Sequence, residues 1–237
     1  MSHRSPCVAI ATALAVFAGP TLADATFIEP TPYLSFADSP FASGSFGAFH
    51  LETFEDHLLN TPGVSADAGG VTSVVFGPMI HDSVDADDGV IDGSGLNGDS
   101  YFSGSGASGI RFTFSAATLG ALPTSAGLVW TDAGAGSSVT FSAFGAGGEL
   151  LFTHTRGGFI DGSNNGETAE DRFFGVVNAA GISALFVSNS FGGIEVDHLQ
   201  YGVAAAVPEP QTQALLLAGL AAGAWLVRRR RAGGPCA

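Results

Sequence analysis

The sequence predicts an all-β protein, namely one jelly-roll-like β-sandwich ectodomain with a single transmembrane helix at its C-terminal end. Three observations predict it. Short runs of β-branched and aromatic residues recur along the chain, clusters of Gly, Asn, Asp and Ser separate them, and no stretch between the two termini has a helical period. The 34 glycines among 237 residues suit the many tight turns of such a fold.

Residues 1–25 predict a secretory signal peptide. Arg4 makes the start positive, residues 8–18 are apolar, and small residues allow cleavage after Ala23 or two residues later. The body that remains, residues 26–203, is long enough for one domain with its own core.

The strands of the body are predicted from alternation and from short apolar runs. Residues 110–114 alternate strictly, with three apolar side chains on one face and Arg111 and Thr113 on the other. Similar patterns predict further strands at residues 128–131, 138–143, 148–153, 173–177, 182–188 and 194–201. An acidic, loop-rich segment at residues 82–99, here called the acidic loop, precedes these strands.

Residues 204–213 predict an extended linker. They contain the motif Val207, Pro208, Glu209 and Pro210. Each proline fixes φ and lacks an N–H donor, so we expect this segment to be extended and accessible.

Residues 214–227 predict a transmembrane helix. This run has 14 residues without charge, and the three polar residues before it extend it to 17, the lower limit of about 17–25 for a spanning helix. A buried core helix is the alternative, but a cluster of arginines at its end disfavours it. By the positive-inside rule, the basic tail at residues 228–237 would stay in the cytoplasm. Its arginines are Arg228, Arg229, Arg230 and Arg231.

The motif, helix and arginine cluster together resemble the PEP-CTERM sorting signal of Gram-negative bacteria, which the membrane protease and transpeptidase exosortase recognises. The resemblance covers about an eighth of the chain, at its C-terminal end. It implies export by the secretion machinery and transient anchoring in the inner membrane, with the body in the periplasm. Cleavage near the motif would then release the protein or transfer it to the cell surface or the extracellular polysaccharide matrix.

The composition of the body excludes several kinds of partner. Without Arg4, the tail arginines and Glu209, three basic and 21 acidic side chains remain, which is a formal charge of about −18. Nucleic acids and anionic lipids require a basic surface, whereas such an acidic body favours divalent cations. The two cysteines, Cys7 and Cys236, lie outside the body, which therefore has no disulfide framework and no cysteine nucleophile.

A second resemblance covers residues 109–202. It rests on the motifs at residues 109–114, 126–132, 168–176 and 192–202. This block resembles a domain that recurs among secreted PEP-CTERM proteins, to which we attach no activity. Its last strand is also similar to that of jelly-roll carbohydrate-binding modules, in which a structural Ca²⁺ often bridges an early Glu and a late Asp. The resemblance implies a Ca²⁺ site at Glu55, or alternatively Glu52, together with Asp197; the alternative is ordinary solvated acids.

The acidic loop does not contain an EF-hand. In the run from Asp85 to Gly89 the glycine stands at the fifth place instead of the sixth, and no Glu follows in register. A looser Ca²⁺-ordered loop and a solvated turn both remain open.

Three further residues suggest a ligand surface. Trp130 and Asp132 could form a platform for a sugar, although Trp130 lies in an apolar run that also suits the core. Asp171 could accept a ligand hydroxyl, or form an ion pair with Arg172 or Arg156.

No pattern in the sequence predicts catalysis. The histidines have no zinc-binding spacing and no Ser lies in a nucleophile elbow, although a Ser–His–Asp set assembled in space remains open. The sequence therefore predicts a non-catalytic, exosortase-processed protein of the cell surface or extracellular matrix. A carbohydrate-binding module of the envelope or exopolysaccharide is the first alternative, and a secreted hydrolase is the second.

Overall fold

The computed structural model of the protein describes residues 24–73, 82–132, 134, 136–160, 166–205 and 212–232. In these ranges the body forms twelve strands in two antiparallel sheets. The strands of the large sheet are β1 (Thr26–Pro32), β2 (Phe46–Glu52), β4 (Gly70–Val71), β5 (Tyr101–Ser103), β7 (Ser125–Asp132), β10 (Arg172–Val177) and β12 (Ile194–Ala204). The strands of the small sheet are β3 (Val64–Ala66), β6 (Ile110–Phe114), β8 (Val139–Gly145), β9 (Leu150–Arg156) and β11 (Ile182–Asn189).

The last strand organises the large sheet. Its order is β1-β10-β7-β12-β5-β4, and β2 also pairs with β12. Because β12 has 11 residues, one of its edges pairs with β7 while the other accommodates first β5 and then β2. The small sheet has the order β3-β6-β11-β8-β9.

The two sheets enclose the main core. Alternate residues of β6, β8 and β11 meet alternate residues of β7, β10 and β12. Phe141 of the small sheet and Phe174 of the large sheet, for example, have ring centroids 5.6 Å apart. The body is therefore a β-sandwich.

The outer face of the large sheet is covered as well. A second buried cluster contains Tyr33, Phe41, Val84, Val129 and Phe173. Its cover comes from the segment between β1 and β2, which holds a 3-10 helix at Phe36–Asp38, and from the acidic loop, which holds another at Asp85–Asp88. The acidic loop thus begins packed against the sheet, since Val84 belongs to the buried cluster.

A β-bulge displaces the end of β7. Glu195 lies opposite Asp132, whereas Val196 lies opposite Trp130, so Thr131 is an extra residue in β7. Residues directly opposite each other share a face of the sheet. The bulge therefore brings Asp132 to the face of Glu195, although alternation along β7 would place it with Trp130.

A second bulge interrupts β12. Asp197 lies opposite Val129 and Gln200 opposite Gly127, so β12 contains one extra residue here. His198 has a φ of 41°, in the left-handed region that side chains rarely adopt. At this point the edge of β12 that faces away from β7 changes its partner from β5 to β2.

The structure confirms the all-β prediction. Each of the seven predicted strands overlaps one of the strands β6 to β12. The sequence did not predict β1 to β5, of which three are only two or three residues long. Helices of the body are short, as in α1 (Ala116–Leu119), where Ser115 accepts the N–H of Thr118.

The C-terminal helix α2 (Thr212–Ala232) contains the predicted 214–227 run and continues through the arginines. Six of its large apolar side chains are 52–67% exposed, namely Leu216, Leu217, Leu220, Trp225, Leu226 and Val227. Within the described ranges, no helix combines the length and the hydropathy that crossing a bilayer requires. In α2, only 16 residues precede the first arginine.

Candidate functional site

Three neighbouring strands bring acidic side chains to one end of the large sheet. β7 ends at Asp132, β12 carries Glu195 near its start, and Glu170 and Asp171 immediately precede β10. Because β10, β7 and β12 are adjacent and antiparallel, the end of β7 lies beside the starts of the other two. The first residue of the acidic loop, Asp82, joins them.

Asp82, Asp132 and Glu170 form what we call the carboxylate cluster. Each offers an oxygen, and these oxygens lie within 4.8 Å of one another. Asp82 is 2% exposed, and among the described residues neither of its carboxylate oxygens has a hydrogen-bond partner. A buried carboxylate without a hydrogen bond is costly, so Asp82 requires either a proton or a cation.

Negative charges dominate around this cluster. Burial, followed by the charges of Glu195, Asp132 and Glu170, raises the pKa of Asp82 to about 10. Burial also raises the pKa of Glu195 to about 7, against the effect of a hydrogen bond that the Ser100 hydroxyl donates at 2.6 Å. Without a cation, Asp82 is therefore protonated at neutral pH.

Asp171 lies beside the cluster and is fully buried. Burial, and then nearby negative charges such as that of Asp82, raise its pKa well above the usual value. The neighbouring Arg172 guanidinium donates to the backbone oxygens of Ala169 at 3.0 Å and Asp171 at 2.7 Å, and it lies 5.2 Å from the centre of the Phe159 ring. In the described part of the chain, its hydrogen bonds thus go to carbonyl groups.

Asp87, Asp197 and His198 form a second cluster, also within 4.8 Å. The backbone N–H groups of Val84 and His198 donate to Asp197 at 3.0 and 2.6 Å. The imidazole Nε2 lies 2.8 Å from Asp87 Oδ1, and Nδ1 lies 2.8 Å from the Tyr33 hydroxyl. Burial raises the pKa of Tyr33, so its hydroxyl stays protonated, and the imidazole of His198 links this hydroxyl to the Asp87 carboxylate.

The predicted calcium ligands lie in different surroundings. Asp197 belongs to the second cluster, but Glu55 accepts the N–H of Asp99 at 2.6 Å, and burial raises its pKa to about 7. Glu52 accepts three backbone N–H groups within residues 54–61 at 2.9–3.1 Å, and so caps the loop after β2. The structure thus groups Asp197 with Asp87 and His198 instead of with either glutamate.

Trp130 is a core residue in the structure. It is fully buried, and its indole N–H donates to Asn189 Oδ1 at 3.0 Å. Its ring faces are therefore closed to a sugar, which corresponds to the core alternative that the sequence left open. Asp132 and Asp171 belong to the acidic end of the sheet.

A Ser–His–Asp set does come together in the body. His57 Nδ1 lies 3.0 Å from Ser73 Oγ and contacts the Asp99 carboxylate as well. In a catalytic triad the serine and the aspartate bind opposite ring nitrogens, so that the imidazole can move a proton between them. Here both meet Nδ1, which does not provide that path.

Hydrogen bonds within the protein hold the acidic loop in shape. The Asp85 carboxylate accepts backbone N–H groups of residues 92–94 at 3.0–3.3 Å and the Thr168 hydroxyl at 3.1 Å. Gly95 lies so close to Ser83 that an added Cβ would be 1.9 Å from the Ser83 carbonyl oxygen. The loop is therefore folded tightly next to Asp82.

From the sequence, Asp82 is only the first residue of the acidic loop and Glu170 only part of the motif at residues 168–176, and nothing places the two in one site. The sequence does carry a signal for Asp132, Glu170 and Glu195, because each of these acids stands at or near the end of a predicted strand. Asp82 carries no such signal, because it enters the cluster only through the packing of the acidic loop on the large sheet.

The fold and the tail define an acidic β-sandwich followed by a helix that ends in arginines. Residues 206–231 match the family model of the PEP-CTERM protein-sorting motif. The chain therefore carries a PEP-CTERM protein-sorting motif at its C-terminal end, as the tail predicts. No curated protein matches the chain. Residues 1–23 of the predicted signal peptide and the motif at residues 207–210 lie outside the described residues.

Proposed function

We propose that the protein is held in the inner membrane through its C-terminal tail, of which α2 is only a part, with its body in the periplasm. Exosortase then processes it near the motif, and the jelly-roll-like body is retained at the cell surface or in the extracellular polysaccharide matrix, where it acts without catalysis. The observation that carries the proposal is the sorting motif at residues 206–231.

The helix α2 supports an anchoring role. Six large apolar side chains of α2 are exposed in the structure and would be available to the apolar part of a bilayer, although α2 alone lacks the length and hydropathy to cross one. Its arginines stand in the last turns, where they would remain at the cytoplasmic side. Arg229 lies 5.2 Å from the centre of the Trp225 ring, a contact suited to the membrane interface.

The burial of the acidic residues supports a non-catalytic body. Asp82, Glu170, Asp171 and Asp197 are each at most 2% exposed. A polymeric substrate cannot reach carboxylates that are closed in this way, whereas acid–base catalysis needs them within hydrogen-bond distance of the reacting group. Binding of polysaccharide by the body would use a surface other than Trp130.

The test follows the fate of both ends of the full chain. The precursor, with an epitope tag after Ala237, is produced in a bacterium that contains exosortase and in the same strain without it. We expect the body to lose the tag and reach the surface or medium only where exosortase is present. The combined change Pro208→Ala, Glu209→Ala and Pro210→Ala should leave the tagged precursor in the membrane fraction.

The matched control replaces two polar residues of the same segment, Gln211→Ala and Gln213→Ala, and should be processed normally. An intact precursor in the cytoplasm, or removal of the tag without exosortase, would contradict the proposal. A hydrolase activity of the purified protein that a single carboxylate substitution abolishes would contradict its non-catalytic part.

A further inference from the structure

We infer that the acidic end of the large sheet is a calcium site, in which Asp82, Asp132 and Glu170 supply the carboxylate ligands. This site differs from the Glu55–Asp197 pair that the sequence suggests. It is also independent of how the tail is processed.

The spacing of the cluster suits one cation. Two oxygens bound to one Ca²⁺ at about 2.4 Å lie at most about 4.8 Å apart. One carboxylate oxygen from each of the three side chains satisfies this limit, since these three oxygens lie within 4.8 Å of one another. Each side chain comes from a different part of the chain, so the fold itself produces the convergence.

The hydrogen bonding of Asp82 points to a ligand that is not part of the chain. This side chain is 98% buried, as its exposure is 2%, and the described residues offer no hydrogen bond to either carboxylate oxygen. Asp171, fully buried beside it, also has two carboxylate oxygens without a hydrogen bond from the described residues. Buried carboxylates are otherwise paired, hydrogen-bonded or bound to a metal.

The donor set selects calcium. The cluster contains oxygen donors alone, whereas zinc and copper favour histidine and cysteine. Magnesium keeps several of its waters and is seldom enclosed by protein ligands, while calcium accepts six to eight oxygens in irregular geometry. Glu195 lies opposite Asp132 and adds a further negative charge at the site.

The second cluster contrasts with the first. Asp87, Asp197 and His198 bind one another, Tyr33 and two backbone N–H groups of the chain. This network occupies both carboxylate oxygens of Asp197 and both ring nitrogens of His198, and among the described residues it leaves only Oδ2 of Asp87 without a hydrogen bond. The carboxylate cluster, in which both oxygens of Asp82 lack a partner, is therefore the better site for the cation.

Calcium binding is measured on the full chain in detergent after removal of metals with EDTA. Isothermal titration gives the stoichiometry and affinity, and thermal unfolding gives the stabilisation. We expect one Ca²⁺ per chain, a higher Tm with Ca²⁺ than with EDTA, and no comparable effect of Mg²⁺. In Asp82→Asn and Glu170→Gln, binding should weaken by roughly tenfold or more, because affinity follows the number of charged ligands.

The control Asp92→Asn makes the same chemical change at an exposed position of the acidic loop and should bind calcium normally. If Asp82→Asn fails to fold, Glu170→Gln alone tests the site. Absence of calcium binding by the wild-type chain would overturn the inference, as would unchanged affinity in the variants. Loss of binding in Asp197→Asn together with full binding in Glu170→Gln would also overturn it, and would place the metal at the second cluster.

Discussion

Replacing Asp82 by Asn should make the metal-free protein more stable, although Asp82 is almost completely buried. Substitution of a buried polar side chain usually destabilises a protein. Here, however, the carboxylate has no hydrogen-bond partner among the described residues. Asn has nearly the same shape and no charge. The substitution therefore removes an electrostatic cost and leaves the packing intact.

The size of the effect follows from proton linkage. Asp82 must hold a proton in the folded state at pH 7, because its folded pKa of about 10 lies above that pH and its reference value of 3.8 lies below it. Protonating a carboxyl with that reference value at pH 7 costs about 4 kcal/mol, at 1.36 kcal/mol for each pH unit. Because the buried amide keeps some cost of its own, we expect a gain of about 2–4 kcal/mol.

Thermal unfolding of the EDTA-treated chain at pH 7 measures this gain. For a body of this size, about 2–4 kcal/mol corresponds to a rise in Tm of roughly 5–15 °C. Asp92→Asn, at an exposed position of the same loop, should change the Tm little. A lower Tm for Asp82→Asn in EDTA would refute the reasoning, because it would mean that the described structure lacks a group that stabilises the ionised carboxylate.

Three further predictions concern pH, packing and the acidic loop. Glu195 has a folded pKa of about 7 and a reference value of 4.5, so its stabilising effect is complete below pH 4.5 and is lost as the pH rises through 7. In EDTA, wild type should therefore lose about 3 kcal/mol relative to Glu195→Gln over that range, as measured by urea unfolding. Trp130→Phe should cost about 1–3 kcal/mol, because Asn189 loses its buried donor, and should leave calcium affinity unchanged in isothermal titration. Gly95→Ala should lower both Tm and calcium affinity, because its Cβ would collide with the Ser83 carbonyl oxygen next to Asp82. An unchanged affinity would show that the conformation of the acidic loop does not affect calcium binding.

The strands that could be predicted are those whose own residues show a recognisable pattern. Strands β6 to β12 alternate or form apolar runs, so their existence follows from local sequence. β1 contains two prolines, and β3, β4 and β5 have three residues or fewer, which is too short for a period to be recognised. β1, β3 and β5 form because β10, β6 and β12 offer them an edge, and β4 then pairs with β5.

The candidate site could be predicted only in part, because it depends on register. The sequence allows Asp132 to bind a ligand together with Trp130 if both belong to one exposed surface, and it also allows Trp130 to belong to the core. The extra residue at Thr131 instead turns Asp132 toward Glu195 and leaves Trp130 in the core. A bulge of one residue has no reliable signal in sequence, yet it reverses the face of every side chain that follows.

Whether the carboxylate cluster stabilises the fold depends on how tightly it binds calcium. A cation that binds only the folded state adds about 2.7 kcal/mol at 100 times its Kd and about 4.1 kcal/mol at 1,000 times its Kd. The cost derived for burying Asp82 at pH 7 is also about 4 kcal/mol. At about 1 mM calcium, the bound wild type therefore equals the metal-free Asp82→Asn variant, with its expected gain of about 2–4 kcal/mol, when the Kd of the wild type is roughly 1–30 μM. With a weaker site, the wild type is less stable than the metal-free variant even when calcium is present. The role of the cluster would then be to let the cation position groups at this end of the sheet, and not to stabilise the fold.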